Sequence, residues 1–179
     1  MEINKITIEK VRPEQMNEII EYILNARKGL FPMLDHSVIP WDILKFEESY
    51  YNNPLGEFLQ ARNQEGKLLG VIGMMEYNHR FQHLDYPYDK VVEVARLFIE
   101  PECRRLALGT QMVKELNQIA INKGIELMYL HTHPFLKGAY EFWLKQGYGL
   151  DKKCIESKFE TIHMSKYLMS KEKQKTINK

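Results

Sequence analysis

The feature that most constrains this chain is an apolar strand that leads directly into a basic turn and a helix. Residues 91–100 read Val-Val-Glu-Val-Ala-Arg-Leu-Phe-Ile-Glu and are nearly continuously apolar, which predicts a central strand covered on both faces. Pro101 ends the strand, and a helix is expected from about Ala107 to Lys123, with Gly124 as its C′ stop. The fold must therefore join a buried strand and a long helix through a short turn.

Apolar periodicity elsewhere predicts a mixed sheet with helices packed on it. Further strands are expected over residues 6–11, 57–62, 68–77, 125–131, 148–155 and 159–168, and further helices from 13 to about 29, within 31–51 and over 136–146. The order β-α-α-β-β-β-α-β-α-β-β has no linker or repeat that would divide it, so one domain is expected over residues 1–169. Residues 170–179 are lysine-rich, lack apolar anchors and are expected to be disordered.

Charge and cysteine content exclude several functional classes. The 25 basic and 24 acidic side chains give a net charge of +1, which disfavours a dedicated nucleic-acid binder. Two cysteines, Cys103 and Cys154, are too few for a disulfide framework and favour a reducing compartment. No signal peptide and no apolar run of roughly 20 residues is found, so a cytoplasmic protein without a membrane partner is expected.

The turn before the long helix has the character of an anion site. The first N–H groups of a helix lack intrahelical partners, and the helix dipole places partial positive charge there. Arg104 and Arg105 add formal positive charge at that point, and the small residues Ala107 and Gly109 allow backbone amides to approach phosphate oxygens. A solvated basic turn that happens to precede a helix is the alternative reading of these residues.

Two segments resemble the GNAT superfamily of acetyl-CoA-dependent N-acyltransferases. Residues 104–109, Arg-Arg-Leu-Ala-Leu-Gly, are similar to the family's Arg/Gln-x-x-Gly-x-Gly/Ala signature, with Ala107 where the family has its first glycine. Residues 139–148 follow a second family pattern of an alanine, an aromatic pair and a Gly-aromatic step. The resemblance is specific over residues 91–148. It implies an α/β (α+β) fold with a mixed, mostly antiparallel twisted sheet of about seven strands and about four helices.

The resemblance also implies acetyl-CoA as cosubstrate, with no metal. Backbone groups of the central strand would pair with pantetheine, backbone amides of residues 105–110 would hold the pyrophosphate, and the thioester would lie where the central strand and the next one splay apart. The expected cofactor-binding residues are Leu97, Phe98, Ile99, Arg104, Arg105, Leu106, Ala107, Leu108, Gly109, Thr110 and Trp143.

An acceptor amine must lose a proton before it attacks a thioester, because an alkylammonium group has a pKa of about 10. Glu93 is the first candidate for the base: a carboxylate in an apolar strand, where burial is expected to raise its pKa. Some family members place a glutamate on this strand. A structural ion pair or a hydrogen-bonded carboxylate is the alternative, with Arg96 as the suspected partner if a bulge brings the two side chains to one face.

His131 and His133 are rival candidates for the base. Two residues apart on a strand, they share a face at the end expected to open toward the crevice, and imidazole titrates near neutral pH. Hydrogen-bonded structural roles are the alternative. A zinc site built on this pair is disfavoured because it has no obvious further ligands.

The family's usual general acid is a tyrosine at the position that Trp143 occupies here. An indole N–H donates a hydrogen bond but does not supply a proton. Tyr140, one helical turn away, is the candidate substitute, and protonation of the leaving thiolate by water is the alternative.

We expect an N-acetyltransferase that moves an acetyl group from acetyl-CoA to a primary amine of a small molecule or peptide by direct attack. Residues 30–36 with Trp41, and the loop 79–86, are candidate substrate walls. A homodimer is left open. An acyl-CoA-binding sensor with little turnover is the alternative function.

Overall fold

A computed structural model describes residues 6–104 and 106–168. Its helices are α1 (Met16–Leu30), α2 (Trp41–Leu44), α3 (Leu108–Asn122) and α4 (Ala139–Lys145). Its strands are β1 (Ile6–Lys10), β2 (Glu57–Asn63), β3 (Leu68–Glu76), β4 (Val91–Ile99), β5 (Leu127–Thr132), β6 (Gly149–Glu156) and β7 (Phe159–Tyr167). The predicted fold class, a mixed sheet of seven strands with helices packed on it, is confirmed.

The strands form one sheet in the order β1-β2-β3-β4-β5-β7-β6. Within the described residues, β4 and β5 pair in parallel and every other neighbouring pair is antiparallel. The parallel pairing covers three positions, from Val91 opposite Leu127 to Glu93 opposite Tyr129. Beyond Glu93 the two strands diverge, so residues 94–99 of β4 have no strand partner on this edge among the described residues.

Both faces of the sheet are covered, as the apolar sequence of β4 predicts. On one face the stripe of α3, including Met112 and Leu116, packs with α4 against inward residues of β2 to β5 and β7. On the other face Ile19 and Ile23 of α1 pack with the aromatic side chains around Phe58 of β2. The site described below lies where β4, buried between these two layers, ends.

A bulge interrupts β4 close to the point where the strands diverge. Val71 pairs with Phe98 and Gly73 pairs with Ala95, so one residue of β3 faces two residues of β4. Arg96 occupies the bulge with a φ of 61°, in the left-handed region that a non-glycine residue rarely adopts. The bulge changes which side chains of β4 share a face.

Two helix starts differ slightly from the sequence prediction. Helix α3 starts at Leu108, with Ala107 as its N-cap, and α4 starts at Ala139 because a turn with a positive φ at Gly138 precedes it. Gly124 has a positive φ of 71° directly after α3, as expected of a C′ glycine. Arg105 and the predicted lysine-rich tail of residues 170–179 lie outside the described residues. In the part of the chain that is described, no helix is both long and apolar enough to cross a membrane.

Candidate active site

A cavity of about 1320 Å³ opens where β4 and β5 separate. Clefts that hold drug-sized ligands measure about 300–1,000 Å³, so this one has room for a larger molecule. Helix α1, the turn after β4, the start of α3, the end of β5 and α4 form its walls. The sequence-predicted residues that line it are Glu93, Leu97, Phe98, Ile99, Arg104, Ala107, Leu108, Gly109, Thr110, His131, His133 and Trp143.

The start of α3 forms one wall of this cavity and turns its first backbone amides away from the rest of the described chain. The amides of residues 107–110 find no acceptor among the described residues, and no side chain caps the helix. The first intrahelical bond runs from the Gln111 amide to the Ala107 carbonyl, at 3.0 Å. The expectation for Leu106 needs correction, because its amide donates to the Cys103 carbonyl and the residue does not line the cavity.

The small residues at the start of α3 allow a ligand to approach the backbone closely. Ala107 has a φ of 57° and a ψ of 11°, a left-handed conformation that explains why a glycine suits this position. Gly109 packs against two side chains: a Cβ at this position would lie 3.5 Å from the Phe142 ring and 3.6 Å from Ile99. Arg104 donates from Nε to the Ile99 carbonyl at 3.2 Å, which keeps its guanidinium beside the cavity.

Glu93 is buried in a charged group at the point where β4 and β5 part. Arg80, from the loop that follows β3, donates two hydrogen bonds to the carboxylate, at 2.6 and 2.7 Å. His131 of β5 places Nδ1 3.2 Å from Oε1 of the same carboxylate, an ion-pair distance without hydrogen-bond geometry. The Glu93 side chain is 3% exposed, whereas His131 is 31% exposed and lines the cavity.

The expectation that burial raises the pKa of Glu93 is wrong. Burial does act in that direction, but the contacts with His131 and Arg80 outweigh it and lower the pKa to about 2. The suspected partner, Arg96, is also wrong, because the partner is Arg80. A carboxylate with this pKa and with both oxygens engaged is a weak proton acceptor.

Arg96 instead pairs with Asp42, the second residue of α2. Its Nε and Nη2 donate to the two oxygens of Asp42, and the Tyr50 hydroxyl donates to the same carboxylate at 2.6 Å. This interaction holds the left-handed backbone of Arg96 in place and orients the bulge of β4. Asp42 lines the cavity, so α2 contributes a residue that the sequence patterns did not identify.

His133 also lines the cavity but has different surroundings. Its Nδ1 donates to the Glu160 carbonyl at 2.9 Å, and its ring stacks on Phe135 with centroids 4.9 Å apart. Burial lowers the pKa of His133. No carboxylate among the described residues contacts this imidazole, which distinguishes it from His131.

Helix α4 provides one of its two predicted residues to the cavity. Trp143 is buried, packs against Phe142 and Tyr148 and lines the cavity. Tyr140 does not line it; its ring lies 5.2 Å from the Lys153 ammonium group instead. The structure therefore gives no support to Tyr140 as the proton donor.

Only some residues of the two predicted substrate walls line the cavity. Leu30 and Phe31 line the cavity, and Arg80 does so from the second predicted wall. Asp35 is not a cavity residue; it is exposed and accepts hydrogen bonds from the backbone and hydroxyl of Ser37. Arg80 was inside the predicted wall segment, but no pattern distinguished it from the other polar residues there.

The combination of diverging central strands and an uncapped helix start defines an acyl-CoA-type transferase architecture. The model of the GNAT acetyltransferase family matches residues 20–148. The chain therefore belongs to the GNAT family of acetyltransferases.

Relatives agree with this assignment. An uncharacterized N-acetyltransferase of Schizosaccharomyces pombe is 26% identical over 121 residues, which are 68% of this chain and 69% of that protein. A GNAT-family acetyltransferase of Staphylococcus aureus Mu50 superposes with a TM-score of 0.71 at 22% identity, over 89% of this chain and 98% of that one. An aminoglycoside 6′-N-acetyltransferase complexed with coenzyme A superposes with a TM-score of 0.67 at 18% identity, over 92% and 98%.

Proposed function

We propose that this protein transfers an acetyl group from acetyl-CoA to a primary amine by direct attack of the amine on the thioester. One observation carries the proposal: a single cavity is lined by the start of α3, the edge of β4 beyond Glu93 and the His131–Glu93 pair. Each of these three features supplies something that acyl transfer requires, namely anion binding, substrate alignment and proton removal.

The residues present fit acetyl-CoA. Amides of residues 107–110 and the guanidinium of Arg104 suit a diphosphate, and the unpaired edge of β4 suits the amide groups of pantetheine. The structurally similar aminoglycoside acetyltransferase binds coenzyme A. When bound, acetyl-CoA supplies the activated acetyl group.

We assign proton removal to His131 and a positioning role to Glu93. Nδ1 of His131 lies 3.2 Å from the Glu93 carboxylate, and in the reacting complex we expect the ring to turn so that Nδ1–H donates to this carboxylate and Nε2 keeps its lone pair for the proton of the acceptor. Glu93 is fixed in turn by the two hydrogen bonds from Arg80. This arrangement orients the imidazole and stabilises the cation that forms when it takes the proton from the acceptor.

The remaining proton and charge transfers make modest demands on the protein. Backbone N–H groups along the unpaired edge of β4 are the available donors to the carbonyl oxygen as negative charge develops there. Trp143 cannot supply a proton to the leaving thiolate. Because a thiol has a pKa of about 8.5, water suffices for that step.

The cavity favours an amine carried on an apolar body. Of the three carboxylates that line it, Glu93 and Asp42 are already paired with arginines, and Glu100 follows β4 at the turn toward α3, away from His131. Phe31 and Phe135 contact each other edge to face at 5.7 Å, and His133 packs against both. We therefore expect small aromatic amines, or peptide N-termini with an apolar first residue, to be better acceptors than polyamines.

Coenzyme A release, measured across polyamines, amino acids, aminoglycosides, aromatic amines and peptide N-termini, tests the activity. Turnover of an amine supports the proposal, whereas acetyl-CoA binding without turnover on all of them would favour the alternative function of a sensor.

Replacing each histidine then tests the assignment of the base. We expect His131→Gln to lower kcat by about 10²- to 10⁴-fold with acetyl-CoA affinity retained, and His133→Gln to lower it less than about tenfold. Equal losses in the two variants, or wild-type turnover in His131→Gln, would remove His131 from this role.

A further inference from the structure

We propose that His83, Cys154, Glu156 and His163 form a Zn²⁺-binding site, called here the hairpin cluster. None of the four lines the acetyl-transfer cavity. One possible ligand atom from each residue lies within 4.8 Å of all the others. Two imidazoles, a thiol and a carboxylate make up a ligand set that zinc proteins use.

Four of the six distances between ligand atoms of the hairpin cluster are close to those around a tetrahedral ion, and the other two are within 4.8 Å. Sγ of Cys154 lies 3.6 Å from Nε2 of His83 and 3.3 Å from Oε1 of Glu156. The same Glu156 oxygen lies 3.6 Å from Nε2 of His83 and 3.7 Å from Nε2 of His163. Ordinary zinc bond lengths at tetrahedral angles separate the ligand atoms by about 3.4–3.6 Å. Side-chain movements of about 1 Å would bring all four atoms to bonding distance of one ion.

His163 provides an independent reason to expect a ligand. Its side chain is 0% exposed, and its Nε2 has no hydrogen-bond partner among the described residues although it points to the other three groups. A buried polar nitrogen without a partner is costly, and metal coordination would remove that cost. Nδ1 of the same ring lies 2.8 Å from the Tyr129 hydroxyl, which is the outer hydrogen bond that metal-bound histidines commonly make.

Local structure explains why the four residues meet. Cys154 and Glu156 are two apart on β6 and share a face of the β6–β7 hairpin. His163 comes from the neighbouring strand β7, and His83 reaches the hairpin from the loop between β3 and β4. A thiolate with two imidazoles selects zinc-like ions over Mg²⁺ or Ca²⁺, and four protein ligands fill a tetrahedron, which is typical of a structural site.

Zinc at the hairpin cluster would anchor the loop that carries Arg80. His83 is the loop's ligand, and the Phe81 ring between them packs on His163 with centroids 4.8 Å apart. Arg80, in the same loop, donates two hydrogen bonds to the Glu93 carboxylate. The metal is therefore expected to order this loop without taking part in acetyl transfer, and its binding can be measured without any turnover assay.

Co²⁺ binding to the 179-residue chain tests the proposal. The reduced, chelator-treated protein is titrated with Co²⁺ and then with Zn²⁺, while visible and near-ultraviolet absorption is recorded. We expect saturation at about one Co²⁺ per chain, with the intense visible bands of tetrahedral cobalt, a thiolate-to-metal band in the near ultraviolet, and displacement by Zn²⁺. Cys154→Ser should lose the thiolate band, and His83→Ala should weaken binding at least tenfold.

His79→Ala is the matched control, because His79 lies in the same loop outside the cluster and should retain wild-type binding. Absence of saturable binding, or a thiolate band that persists in Cys154→Ser, would overturn the proposal. A second measurement, on the wild type alone, decides the matter if a variant fails to fold. Zn²⁺ should slow alkylation of Cys154 and slow amide hydrogen exchange in residues 79–86; unchanged rates for both would contradict the site.

Discussion

Glu93→Gln is the substitution whose effect on stability the structure defines most sharply. The pKa of Glu93 falls from its ordinary value of 4.5 to about 2, because its contacts with His131 and Arg80 outweigh the opposing effect of burial. This lowering of the folded-state pKa relative to the ordinary value corresponds to about 3 kcal/mol in the free energy of unfolding. Because the folded-state pKa is depressed, this contribution is fully present above the unfolded-state value and is lost as pH falls from about 5 toward 2.

Denaturant unfolding across this pH range measures the effect. The wild type should exceed Glu93→Gln in free energy of unfolding by about 3 kcal/mol at neutral pH, and the gap should close as pH approaches 2. Glu141→Gln, at an exposed carboxylate on α4, is the control and should change stability by less than about 0.5 kcal/mol throughout. A gap between wild type and Glu93→Gln that does not vary with pH would refute the paired, ionised state of Glu93.

Three further substitutions test the other parts of the site. Ala107→Gly should leave the free energy of unfolding, measured by thermal unfolding, unchanged or raise it by up to about 1 kcal/mol. Glycine removes the strain of the left-handed backbone, but it also gives the unfolded chain more freedom, and the two effects oppose each other. A clear loss of stability would contradict the φ of 57°. Gly109→Glu should weaken acetyl-CoA binding at least tenfold in calorimetry. The control Gly109→Ala should fold normally, because its Cβ makes only ordinary van der Waals contacts with Phe142. If Gly109→Glu binds acetyl-CoA as tightly as the wild type, the diphosphate lies elsewhere. Asp42→Ala should lower the free energy of unfolding by about 2–3 kcal/mol in denaturant unfolding, because it leaves the partly buried Arg96 without its carboxylate partner. A loss under about 1 kcal/mol would show that this pair is dispensable.

The sequence predicted the fold well because the decisive signals are local. The continuous apolar run of β4, the alternation in the other strands and the helical stripes each lie within one element. The helix start at Ala107 is also a local signal, since a basic turn and small residues follow one strand directly. Boundaries moved by a few residues where turns such as that at Gly138 have their own geometry.

The sequence did not predict which charged residues of the site pair with each other. Arg96 seemed the natural partner of Glu93 because the two are close in sequence, but the bulge aims Arg96 at Asp42, 54 residues away. Arg80 reaches Glu93 from an irregular loop, whose path no periodicity describes. The sign of the Glu93 pKa shift depended on those contacts, so burial alone gave the wrong direction.

The hairpin cluster was missed for a related reason. Cys154 and Glu156 at alternate positions, with His163 on the next strand, are a weak local signal of shared ligands. The fourth residue, His83, is 71 positions from Cys154 and comes from a loop. The sequence directed attention to His131 and His133 instead, which belong to no group of three or more possible metal ligands within the described residues.

A crystal structure of the protein with coenzyme A tests the central claim most directly. The diphosphate should lie within about 3 Å of backbone amides of residues 107–110, with the thiol in the crevice between β4 and β5 beside His131. A diphosphate bound away from the start of α3, or a thiol remote from the crevice, would contradict the proposed acetyl transfer at this site.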